Sequence, residues 1–162
     1  AALLVAALGW QGATRPPVLI AEGGRLVGVI GPAGRVQSKP GQAFVAERWL
    51  EADGDDAGIE AAAARAGFEG PRGARAGVFG GQRIVHLSGK DASAAPLIEA
   101  CRDGALVVLA ARAPAGDWGG CDLWDEARLA QTGAVALWPG RRIVSVAAAK
   151  GLRPWTAPDR GR

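Results

Sequence analysis

Six consecutive apolar residues, Ala105-Leu106-Val107-Val108-Leu109-Ala110, constrain this chain more than any other stretch. A strand without a polar side chain has no face to offer water, so both its faces must be covered. The strand Arg83 to Leu87 and the helical stretch Ser93 to Arg102 precede it, and that connection is long enough for a right-handed crossover between parallel strands. From the second half of the chain, therefore, the rhythm is α/β.

The first half reads as short β segments punctuated by glycine. Residues 18 to 38 alternate β-branched runs with Gly-Gly and Gly-Pro turns, which predicts a three-stranded meander. Lys39-Pro40-Gly41 stops the sheet. Residues 42 to 52 place Phe44, Val45, Trp49 and Leu50 on one helical face. Gly54 ends that helix, and Asp55 or Asp56 can cap a second one from Ile59 to Ala66. A hairpin over 74–79 and 82–87 turns at Gly80-Gly81. After a loop carrying Pro114, Gly116, Gly119 and Gly120, a short helix covers 125–131, and a closing hairpin pairs 135–138 with 142–146. The expected fold is a mixed α/β domain over residues 18–155, a layered mixed β-sheet with flanking helices.

The ends of the chain differ from this body. The sequence contains no methionine and opens on the apolar run Ala1 to Trp10, followed by a polar, proline-containing exit. Residues 1–12 read as the last turns of a transmembrane helix, with Trp10 at the interface and 13–17 as a linker. A signal peptide and a trimmed buried helix are the rival readings, although a signal peptide would begin with basic residues. Residues 156–162 read as a basic disordered tail.

Charge is unevenly distributed. The first 140 residues hold 13 basic and 15 acidic groups, whereas residues 141–162 hold six basic groups against Asp159 alone. A basic end of this kind can meet phosphates of nucleic acid or lipid. Arg141, Arg142, Lys150 and Arg153 are the candidate contacts, with Arg162 beyond them and Trp155 as a stacking surface. The alternative is a solvated terminus without a partner.

Other constellations are weaker. Asp53, Asp55 and Asp56 form the densest carboxylate cluster and are candidate ligands for a hard cation, but the spacing also suits a helix stop placed beside an N-cap. His86 is the sole histidine, so neither a zinc cluster nor a relay can be assembled around it, and it reads as a strand residue with its hydrogen bonds satisfied. The only two cysteines, Cys101 and Cys121, permit one disulfide, or two separate core thiols.

The order of certain segments resembles the C-terminal domain of α-proteobacterial ComEC proteins. The resemblance is carried by residues 17–36 (PVLIAEGGRLVGVIGPAGRV), 44–55 (FVAERWLEADGD), 83–87 (RIVHL), 121–125 (CDLWD), 133–138 (GAVALW) and 153–155 (RPW), which together span nearly the whole chain. ComEC proteins are polytopic inner-membrane proteins of natural competence, held to pass one DNA strand inward. Many end in a metallo-β-lactamase-like domain, whose HxHxDH-type cluster holds two metals and activates water. A chain with one histidine departs from that pattern.

The resemblance thus implies a degenerate metallo-β-lactamase-like domain, without cofactor or small-molecule substrate. It would be attached to the inner membrane through the rest of the parent channel, on the extracytoplasmic side. Its expected role is to position single-stranded DNA or stabilise the channel during natural transformation. A diverged metal-dependent phosphodiesterase and a purely structural or partner-docking cap are the alternatives.

Overall fold

The computed structural model describes residues 15–138 and 142–151. The expected transmembrane turns (1–12), Arg141, Arg153, Trp155 and the tail 156–162 lie outside the described residues. Among the described residues no helix is long and apolar enough to cross a membrane.

The described residues form a mixed α/β fold with two sheets. Strands β1 (Val18–Ile20), β2 (Val27–Gly31) and β3 (Gly34–Gln37) form the expected meander, with a 3-10 turn at Glu22–Gly24 between the first two. Strands β4 (Ala74–Phe79), β5 (Gln82–Leu87), β6 (Leu106–Leu109) and β7 (Asp122–Trp124) form the second sheet; β4–β5 is antiparallel and the pairs β5–β6 and β6–β7 are parallel. The closing hairpin, β8 (Val135–Trp138) and β9 (Arg142–Ser145), joins the first sheet through β1, giving the order β3-β2-β1-β8-β9.

Side-chain alternation then sets four layers. On β6, Leu106 and Val108 pack with Ile20, Val27, Val29, Val36 and Leu137 of the first sheet. The intervening Val107 and Leu109 pack with Leu97 and Ala100 of helix α3 (Ala94–Ala100). Both faces of the apolar run are thus covered, one by a sheet and one by a helix. The outer face of the first sheet carries α1 (Ala43–Asp53) and α2 (Ile59–Ala64), with Ala46 packed on Ala21 and Leu26. Helix α4 (Glu126–Thr132) inserts Leu129 into the inter-sheet core, and α5 (Val146–Lys150) follows β9 directly.

Several local expectations need correction. Phe44 does not belong to the buried face of α1: it is 74% exposed, and Ala46, Leu50 and Asp53 are the residues buried there. The helix meets the sheet's outer face with Ala46, Leu50, the half-buried Trp49 and the Asp53 carboxylate, and Phe44, at the start of the helix, stays in solvent. Neither Asp55 nor Asp56 caps α2; Gly58 occupies that position without a side-chain cap. Strand β7 and helix α5 carried no periodic signal, since runs of three and five residues are too short to show one.

Candidate functional site

The carboxylate cluster lies at the junction of α1 and α2. Gly54 adopts a left-handed conformation, φ 65°, that closes α1 and turns the chain between the aspartates. Asp53, 6% exposed, receives Arg35 Nε at 2.5 Å and Nη2 at 3.1 Å, a forked ion pair with a fully buried guanidinium. Arg35 also donates to the carbonyls of Gly28 and Pro16. Asp55 is held in the same way by Arg65, at 2.5 and 2.9 Å, and accepts the Ala57 amide as well. Hydrogen bonds from the Arg65 side chain lower the Asp55 pKa from 3.8 to about 2. Asp56 remains exposed.

A shallow acidic groove of about 730 Å³ runs along this junction, bordered by Glu47, Glu51, Asp55, Asp56 and Glu60. Its charge repels phosphates. Among the described residues, no three His, Cys, Asp or Glu side chains converge as a metal site. Asp53 and Asp55 work as anchors for arginine: one ties α1 to the outer face of β3, and the other ties the α1–α2 turn to α2.

His86 is fully buried between the sheets. Period-two alternation puts it with Ile84 on the face of β5 that meets the first sheet, where Ser38 shares the orientation of Val36. Its Nε2 lies 2.9 Å from the Gly24 carbonyl and its Nδ1 2.7 Å from Ser38 Oγ. A carbonyl can only accept, so Nε2 carries the proton; Nδ1 then accepts from the Ser38 hydroxyl, which itself accepts the Val27 amide at 3.1 Å. Burial, followed by the positive charge of Lys39, lowers the His86 pKa from 6.5 to about 4. The imidazole is therefore neutral at physiological pH, with both nitrogens occupied and no path to solvent.

Cys101, which ends α3, and Cys121, just before β7, are joined as a disulfide, with Cα atoms 4.7 Å apart. The bridge ties the end of α3 to the start of β7 and encloses β6 and the loop after it, over a separation of 20 residues.

Of the proposed nucleic-acid contacts, Arg142 and Lys150 are described, and both are exposed. Arg142 faces Trp138 across the hairpin, its guanidinium carbon 4.8 Å from the ring centre. Lys150 closes α5. The buried Arg35–Asp53 pair is what the sequence concealed. An arginine and a glutamine alternating with valines on β3 carry the pattern of a strand with one solvated face, and only the docking of α1 buries it.

No protein-family model, no curated protein and no solved structure matches this chain.

Proposed function

We propose that this domain is the non-catalytic C-terminal part of a ComEC-type DNA-uptake channel, where it positions single-stranded DNA at the pore mouth or stabilises the channel. The observation that carries the non-catalytic reading is the use made of the sole histidine. Hydrolysis of a phosphodiester needs a metal-bound water or a base in reach of one. Here both imidazole nitrogens are committed to an internal bond between sheets. Asp53 and Asp55, the carboxylates a diverged phosphodiesterase would use, are neutralised by Arg35 and Arg65.

The layering, two sheets face to face with helices outside, supports the reading of a degenerate metallo-β-lactamase-like domain. The Cys101–Cys121 bridge supports the extracytoplasmic side, because disulfides persist in oxidising compartments. The basic end, with Arg142 and Lys150 exposed, supports contact with a polyanion.

The test is single-strand binding by the purified chain in low salt. Weak affinity that ignores base composition and falls steeply with salt is expected. Replacing Arg141, Arg142 and Arg153 by glutamine should lower it. Absence of binding by the unaltered chain leaves the structural cap as the reading. Two tightly held metal ions with chelator-sensitive DNA cleavage would restore the enzyme.

A further inference from the structure

The inter-sheet hydrogen bonds of His86 have a consequence at the surface. The two residues that bond its nitrogens are each followed in sequence by a cation: Gly24 by Arg25, and Ser38 by Lys39. A third cation reaches the same end of β5 from the other side. The Ser88 amide, one residue past β5, donates to the Gly73 carbonyl at 2.7 Å, and Arg72 precedes Gly73. Three segments distant in sequence are thus pinned around one strand end, and each brings a positive charge.

Arg25 and Arg72 are exposed and Lys39 is half-buried. Among the described residues none of the three forms an ion pair; the ion pairs there involve Arg35, Arg48, Arg65, Arg102 and Arg128. Two acids are near: Glu22, on the 3-10 turn before Arg25, and Asp91, whose carboxylate is packed against Gly73. Neither is ion-paired with any of the three, and burial, then the nearby charges of Arg72 and Arg25, holds the Lys39 ammonium below its ordinary value. Like charges held together by the fold are relieved by a bound anion.

We propose that Arg25, Lys39 and Arg72 form a phosphate site that takes the backbone of single-stranded DNA, in addition to the basic end. This assignment rests on the DNA-positioning reading. Three cations around a strand end recognise phosphate charge and no base edge, so the site would accept any sequence.

The experiment is a salt titration of oligonucleotide binding to the full chain, using oligo-dT and a mixed-sequence strand. The variant R25Q/K39Q/R72Q is compared with the unaltered chain and with the Arg141, Arg142, Arg153 variant. Loss of three contacts should flatten the slope of log affinity against log salt by roughly two units, at about 0.7 per phosphate for a single strand. R25K/R72K keeps the charges and should keep the slope, which separates charge from folding. An unchanged slope in R25Q/K39Q/R72Q, with binding lost in the basic-end variant, overturns this site and leaves the DNA reading intact. No binding by the unaltered chain overturns both. Binding to phosphatidylglycerol vesicles that is lost in R25Q/K39Q/R72Q, while DNA binding is not, also overturns the assignment and makes the cluster a membrane contact.

Discussion

Ser38 Oγ and His86 Nδ1 lie 2.7 Å apart and join the two sheets at one end of an otherwise apolar interface. The serine closes the first sheet's meander, and the histidine sits on the strand that leads the second sheet's parallel core. Each satisfies the other: without the imidazole the hydroxyl would be a buried donor, and without the hydroxyl Nδ1 would be a buried acceptor. An unpaired buried polar group costs about 1–3 kcal/mol, so the pair is stable only as a pair. His86→Ala should destabilise the chain by about 2–4 kcal/mol, from the cavity and the stranded partners together. Added to Ser38→Ala, it should cost less than the sum of the two single changes in a urea-denaturation cycle.

The same histidine makes stability depend on pH. Its folded pKa, about 4, lies below the ordinary 6.5, so the unfolded chain takes up a proton first as pH falls. Stability should be complete above pH 6.5 and decline towards pH 4, by about 3 kcal/mol in all at 1.36 kcal/mol per unit. Asp55 extends the decline at lower pH. Its pKa is lowered from 3.8 to about 2, so its contribution is present above pH 3.8 and lost as pH falls towards 2. Urea midpoints measured from pH 8 to pH 2 check both, and His86→Asn should remove the first decline only.

Asp53→Ala should be among the most damaging single changes. It leaves the Arg35 guanidinium buried without a counter-charge, which costs about 3–5 kcal/mol. Arg35→Met combined with Asp53→Leu should recover much of that loss, because an apolar pair needs no desolvation of charge. Equal destabilisation by the double and single variants would mean that the bonds of Arg35 to Gly28 and Pro16 carry the stability.

Replacing Cys101 and Cys121 by serine should lower stability by about 3 kcal/mol, the loop-closure entropy of a 20-residue separation. The unaltered, non-reduced chain should show no titratable thiol under denaturing conditions. A reductant should reproduce the effect of the double substitution.

Gly28→Ala probes the contact of α1 with the first sheet. A Cβ there would stand 2.9 Å from both the Trp49 ring and Arg35 Cδ. Overpacking of this kind costs about 1–3 kcal/mol, and a blue or red shift of tryptophan emission should accompany it.

Most of the local structure is legible in a few neighbouring residues. Glycine pairs at 23–24 and 80–81 placed two turns, and the strands flanking Gly80-Gly81 run over the residues the alternation indicated. Asp125, at the start of the expected helix, is its N-cap, accepting the Arg128 amide. The unbroken apolar run of β6 required cover on both faces, and it has it. These features are local: a turn needs a particular φ and a buried strand needs apolar side chains, and both requirements show in a few neighbouring residues.

How the sheets divide and what the polar residues do are set by long-range packing. Strand β8 pairs with β1 across more than a hundred residues of chain, a choice made by two hydrophobic faces meeting and not by any local preference. Asp53 is an anchor because α1 brings it to Arg35, 18 residues away, and His86 is a bond between sheets because Ser38 stands opposite it, 48 residues away. A charged or titratable side chain has the same local signature whether it binds a ligand, faces water or stitches a core. Its role is set by burial and by its partner, and both are products of long-range packing.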